Sequence, residues 1–273
     1  MTGDIQQRTF WTLMSLGLII LLTGCLQVGT AMNNKQFPAD QYFDEPMVAF
    51  LNAVKRNDRQ QAQSVRDQGL DLNINGREGI TPLMWIIMQW DLQATELMLQ
   101  LGADPNFPVK YSNRLVGVTY SQPLAIIAGG NNTALLKLLL QYGADPNSTN
   151  ATNQRPLFKA ISQDNWEHFE ILLAAGADMD AVDNSGANAA LHAVYVSRYA
   201  FALELIQRGS APNLISSTGG SIATNLYKVE SDSRMQFGPL LEQIKALLIE
   251  KGIPYPPPTP AEQREIRARL QTQ

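Results

Sequence analysis

Few residues in this chain of 273 could do chemistry, and their spacing argues against a shared site. His168 and His192 supply all the imidazole available for acid–base work near neutral pH. A serine nucleophile would have to recruit one of them, yet no Gly-x-Ser-x-Gly stretch is present. Metal chemistry wants a His-x-x-x-His pair or clustered cysteines, and the chain has neither, with Cys25 its one thiol. No glycine-rich loop precedes a Lys-Ser or Lys-Thr pair, and Gly129-Gly130-Asn131-Asn132 reads as a turn between helices rather than a phosphate cradle. Asp104, Asp145 and Asp178 recur one to a turn, roughly 10 Å apart per turn, too dispersed for a carboxylate pair. The expectation is a protein that is not an enzyme and that holds neither cofactor nor metal.

Composition points the same way. With 45% hydrophobic and 17% charged residues, the chain is too apolar to be disordered and too polar to span a membrane many times. A net charge of −4 gives no basic face for nucleic acid.

The one cysteine acquires a meaning from its place. An uncharged apolar run extends from Phe10 to Leu22. As a helix it would cover about 20 Å, short for a hydrocarbon core of about 30 Å but suited to a signal peptide. It ends Leu22-Thr23-Gly24-Cys25, which resembles a bacterial lipobox. That resemblance implies a leader over 1–24, removed after the Cys25 thiol is acylated. The other reading of the same run is an uncleaved anchor helix. Leu26 after the cysteine, rather than Asp, resembles an outer-membrane sorting signal, placing the chain in the periplasm on a lipid anchor. Residues 25–45 lack apolar periodicity and are expected to form a flexible tether.

The body repeats itself. A glycine closing a short aliphatic run recurs at Gly69, Gly102, Gly143, Gly176, Gly209 and Gly252, at intervals of 33, 41, 33, 33 and 43 residues. Around it stand Gly102-Ala103-Asp104-Pro105-Asn106, Gly143-Ala144-Asp145-Pro146-Asn147 and Gly176-Ala177-Asp178, and a second mark recurs as Thr81-Pro82-Leu83, Gln122-Pro123-Leu124 and Arg155-Pro156-Leu157. Proline at a first helical position loses only an N–H that had no partner, and glycine accepts the left-handed turn that ends the second helix.

Together these marks resemble the ankyrin repeat over about 46–256. The resemblance implies an all-α solenoid of about six helix-turn-helix units with β-turn or hairpin fingers, followed by a proline-rich spacer and charged tail over 257–273. Ala261–Leu270 is expected as a short charged helix that frays in solvent. In this family a histidine ties neighbouring loops together, the role expected of His192, while His168 is expected to be exposed. Trp85, Phe158 and Trp166 occupy positions that usually face the core, and Trp90 sits in an inter-helix turn where the family often has Gly.

The resemblance also implies protein recognition by finger tips and first-helix ends, at Arg77, Glu78, Ile80, Met88 and Gln89, at Thr119, Ser121 and Gly129, at Thr152, Gln154, Ser162 and Gln163, and at Asn184, Ser185 and Ala187. An eight-residue insertion lengthens one finger between Phe107 and Tyr120, and its β-branched and aromatic content suits a projecting hairpin with Ser112-Asn113 near the turn. Lys110, Tyr111, Asn113, Arg114 and Tyr120 on it are candidate partner contacts, the other reading being a finger packed on its neighbours. A second insertion, Lys228–Pro239, reads as a surface loop. The layout resembles lipid-anchored periplasmic immunity proteins paired with type VI secretion phospholipase effectors. The competing reading is a scaffold or adaptor for another envelope protein, such as a stress-defence enzyme.

Overall fold

A computed structural model describes residues 37–113, 117–232 and 238–270. The expected leader over 1–24, Cys25, Leu26 and Arg114 lie outside them. The chain divides into two compact units, Met1–Ala151 and Thr152–Gln273.

Unit 1 contains three antiparallel helix pairs. They are α1 (Met47–Lys55) with α2 (Arg59–Arg66), α3 (Pro82–Ile87) with α4 (Leu92–Gln100), and α5 (Pro123–Ile127) with α6 (Thr133–Gln141). Between the second and third pairs stand strands β1 (Val109–Asn113) and β2 (Gly117–Ser121). Helix starts are fixed by side chains accepting from backbone N–H groups, as Thr81 does from Met84, Asp91 from Ala94 and Asn132 from Leu135. Phe50, Leu51, Ile86, Met98, Leu124, Leu136 and Leu139 fill the core between pairs.

Unit 2 repeats the arrangement with α7 (Pro156–Ser162) and α8 (Trp166–Ala174), α9 (Ala189–Tyr195) and α10 (Tyr199–Gln207), α11 (Ile222–Ser231) and α12 (Pro239–Glu250). Helix α11 runs to Ser231, so the expected loop from Lys228 begins as helix. Phe158, Phe169, Phe201 and Leu205 form its centre.

The recurring Asp and Asn join one repeat to the next. Asp104 accepts from the N–H of Asn106 (2.8 Å), closing its own turn. The Asn106 side chain then reaches the following repeat, accepting from Asp145 N–H (2.7 Å) and donating to the Gly143 carbonyl (2.9 Å). Asn73 accepts from Asp104 N–H in the same way (2.9 Å), and in unit 2 Asp180 takes the role, accepting from Ala211 N–H (2.8 Å).

Both end segments depart from expectation. Phe37–Asp44 does not belong to a loose tether: Ala39, Tyr42 and Phe43 are buried, and Arg77 N–H donates to the Tyr42 carbonyl (2.7 Å). Ser217 N–H makes the same bond to Ser185 (2.7 Å) between neighbouring fingers of unit 2. Residues 37–44 therefore supply the finger of the first repeat, which lacks the Gly-Ala-Asp mark that would have revealed it. Burial pushes the Tyr42 phenol up to about 12, the Glu78 charge adding to the shift.

At the other end, α13 (Pro260–Leu270) does not fray. Its Gln263 is buried, Arg264 donates to the Thr218 carbonyl (3.0 Å), and the Arg267 guanidinium covers Gly186. Gly219, at φ +83°, leaves room for the Pro260 carbonyl, which a Cβ there would meet at 2.1 Å.

Candidate functional site

The lengthened finger is a β-hairpin, as expected, with Val109 opposite Ser121, Lys110 opposite Tyr120, Tyr111 opposite Thr119, Ser112 opposite Val118 and Asn113 opposite Gly117. Ser112 and Asn113 are thus strand residues, and the turn falls at 114–116, outside the described residues. Alternation along the strands splits the hairpin into two faces. Val109 and Ser121 are buried and Tyr111 and Thr119 half-buried, whereas Val118 and Tyr120 are about half exposed (52% and 50%) and Ser112 is exposed. Burial pushes the Tyr111 phenol up to about 12.

The packed face lies on the preceding finger. β1 touches the Arg77–Gly79 turn, Asn75 donates to the Pro108 carbonyl (2.9 Å), and Gly79 (φ +79°) admits the Lys110 carbonyl at a spot where a Cβ would sit 1.9 Å away. The hairpin is thus a finger that packs on its neighbour through one face and leaves the other uncovered. Tyr111 packs; Lys110, Val118 and Tyr120 face outward. Val118 escaped the sequence reading, although the alternation of Gly117-Val118-Thr119-Tyr120-Ser121 carried the signal.

Other candidates separate. Arg77 is committed inward: its guanidinium donates to the Asp40 carbonyl (2.7 Å) and pairs with Asp44. Glu78 stays exposed beside it, while Ile80, Ser121 and Ala187 are buried and cannot serve as contacts. Met88 and Gln89 are half-buried at the far end of α3 from the fingers, with Gln89 donating to the Trp85 carbonyl (3.2 Å). Gln154 is half-buried in unit 2, and exposed Asn184 accepts from Asn153 (3.1 Å). Of the proposed contacts, Glu78, Lys110 and Tyr120 belong to the finger group of unit 1, and Gln154 and Asn184 to unit 2.

One pair looks reactive. Ser162 Oγ lies 2.8 Å from His192 Nε2, and the ring stacks on Phe158 at 4.8 Å. A hydrogen bond to the Phe158 backbone engages the ring as well, yet burial, the largest influence, holds its pKa below the ordinary value. Ser162 ends α7, where helix carbonyls rather than N–H groups are free, the wrong polarity for a developing oxyanion. The pair fastens α9 to α7, a helix-to-helix tie rather than the loop tie expected. His168 is fully buried on α8, against expectation, its N–H capped by Asn165 (3.0 Å). Trp166 is 41% exposed instead of core, one face of its ring resting on Phe201 at 4.6 Å. Among the described residues no His, Cys, Asp and Glu cluster could hold a metal, and no helix is long and apolar enough to cross a membrane.

Comparison with known proteins agrees with this architecture. The family model for ankyrin repeats matches residues 124–216 in three copies. A putative ankyrin repeat protein of Borreliella burgdorferi is 28% identical over 152 residues, 54% of this chain and 57% of that protein. The chain thus spans little more than half of that relative. Protein PhlB of Serratia liquefaciens is 28% identical over 173 residues, 62% of this chain and 70% of PhlB. The crystal structure of the ankyrin repeat domain of Bcl-3 superposes with a TM-score of 0.58 at 21% identity, over 76% of this chain and 86% of that one. Residues 124–216 are ankyrin repeats, and the chain has the ankyrin-repeat fold, a scaffold that typically works by binding proteins rather than by catalysis.

Proposed function

We propose that this is a lipid-anchored envelope protein that binds and inhibits a partner protein, an immunity protein against a phospholipase effector of type VI secretion. The observation that carries the binding half is the hairpin of unit 1. One face is locked on the preceding finger, so Lys110, Val118 and Tyr120 are presented on a preorganised edge. Support for the anchor is the Leu22-Thr23-Gly24-Cys25 run, and tethering at the bilayer would concentrate an inhibitor where a lipase attacks.

The test joins genetics and enzymology. Deleting the gene should kill cells only while a neighbouring lipase gene is intact, and the purified chain should inhibit that lipase at one-to-one stoichiometry. Tyr120→Ala with Val118→Ala should weaken inhibition at least tenfold without lowering thermal stability. Viability regardless of the neighbour, with a client enzyme mislocalised instead, would overturn inhibition in favour of an adaptor.

A further inference from the structure

Among the described residues, Trp90 is the one aromatic with a positive φ. It occupies the turn between α3 and α4 at φ +58°, a conformation costly for a bulky side chain, and it is 53% exposed. The corresponding turns of other repeats meet the same backbone demand with Asn57, Asp164 and Ser197, small polar residues suited to it. A tryptophan here strains the turn and leaves half of an indole in water. Leu92, two residues on, is 40% exposed.

The neighbouring turn supplies charge. Lys55 lies 5.8 Å from the Trp85 ring and within the field of Asp91, so the end of α1 adjoins the Trp90 turn. Arg56, exposed next to Lys55, donates to Gln61 (3.0 Å), whereas Arg59 donates to Gln100 at the far end of α4. The local carboxylates are engaged as helix caps, Asp58 accepting from Gln61 N–H and Asp91 from Ala94 N–H, both at 3.0 Å. An exposed indole and leucine flanked by cations match the boundary of an anionic bilayer, where tryptophan places its apolar body in lipid and its N–H in water.

Chain connection selects the same occupant. The Phe37 carbonyl accepts from Trp85 Nε1 (3.2 Å), so the segment from the N-terminal apolar run meets unit 1 on α3 itself. From Leu22 or Cys25 to Phe37 is at most about 50 Å of extended chain.

We propose that the α3–α4 edge of unit 1 seats on an anionic phospholipid surface, Trp90 and Leu92 entering the headgroup boundary while Lys55 and Arg56 face the phosphates. This rests on anchorage at a bilayer and not on any protein partner, nor on acylation of Cys25.

The test uses the full chain with Trp11→Phe, reconstituted through its apolar N-terminal run into phosphatidylcholine vesicles with or without phosphatidylglycerol, and with acyl chains brominated near the headgroup. Flotation establishes association. Bromolipid should quench roughly a third of the remaining tryptophan emission in vesicles containing phosphatidylglycerol. Trp90→Phe should abolish the effect, and Lys55→Gln with Arg56→Gln should reduce it to the level in pure phosphatidylcholine. A chain that fails to float, or floats unquenched, overturns the proposal and leaves Trp90 to a protein partner. Quenching unchanged in Trp90→Phe, or equal with and without phosphatidylglycerol, overturns it as well.

Discussion

The two units solve the same problem at opposite ends of the chain with different material. In unit 1 the outermost finger is Phe37–Asp44 itself, a segment with a short 3-10 helix at Ala39–Gln41 that buries its own side chains and is pinned by Arg77 of the next finger. In unit 2 the outermost finger is covered by a helix, α13, which brings its own arginines to the finger tips at Thr218 and Gly186. A terminal repeat has no neighbour on one side, so any nearby chain that satisfies its backbone groups can serve as cover. The first solution buries apolar side chains, Tyr42 and Phe43 among them; the second is mostly polar and should be the weaker.

Glycines at the contacts test that difference most severely. Gly76→Ala would put a Cβ 2.5 Å from both the Tyr42 carbonyl and the Phe43 ring, in the contact between the first two fingers, where buried Phe43 has no room to swing aside. Denaturant unfolding should show a loss of about 2–4 kcal/mol. Gly219→Ala would meet the Pro260 carbonyl at 2.1 Å, but α13 can lift away, so about 1–2 kcal/mol is expected, with new protease cuts after Pro258 before global unfolding.

Removing the pins should have smaller effects in the same order. Arg77→Ala should cost about 1 kcal/mol, mostly through the lost bonds to the Asp40 and Phe43 carbonyls, since its ion pair with Asp44 is exposed. Amide exchange over 37–44 should accelerate. Arg264→Ala with Arg267→Ala should cost about 0.5–1 kcal/mol and free α13 without altering α9 or α11. Equal losses from both changes would erase the contrast between the two ends.

Acid should also distinguish the units, because both histidines lie in unit 2. Burial lowers the His192 pKa in the folded state, so the unfolded chain takes up its proton first as pH falls below about 6.5. Stability contributed by neutral His192 is complete above that value and declines as pH drops from there toward the lowered folded value. A Trp166 fluorescence change should precede changes around Trp85 on acidification, and His192→Gln should remove the offset.

The interior of the array was legible because each repeat must solve identical geometry. The Gly-Ala-Asp turn, the proline at a first helical position and the aliphatic run recur wherever the backbone recurs, and they place all six helix pairs. What was missed lies where recurrence stops. Phe37–Asp44 carries no repeat mark, and α13 shows only Ile266 and Leu270 as apolar, because it docks through arginines on carbonyls rather than through an apolar stripe. His168 and Trp166 exchanged their expected places for a related reason. Both sit in the first turn of α8, where the choice of inward residue depends on the packing of Phe169 and Phe201 rather than on local sequence. Within the finger, hairpin content was visible, but the division of Tyr111 from Tyr120 required the strand register.

That division has a consequence for how such a protein can change. Neighbours along β2 obey separate masters, Thr119 answering to the scaffold and Val118 and Tyr120 to whatever is met outside. A binding partner that alters its surface could be followed by rewriting alternate letters of one short ribbon, with the architecture beneath left untouched.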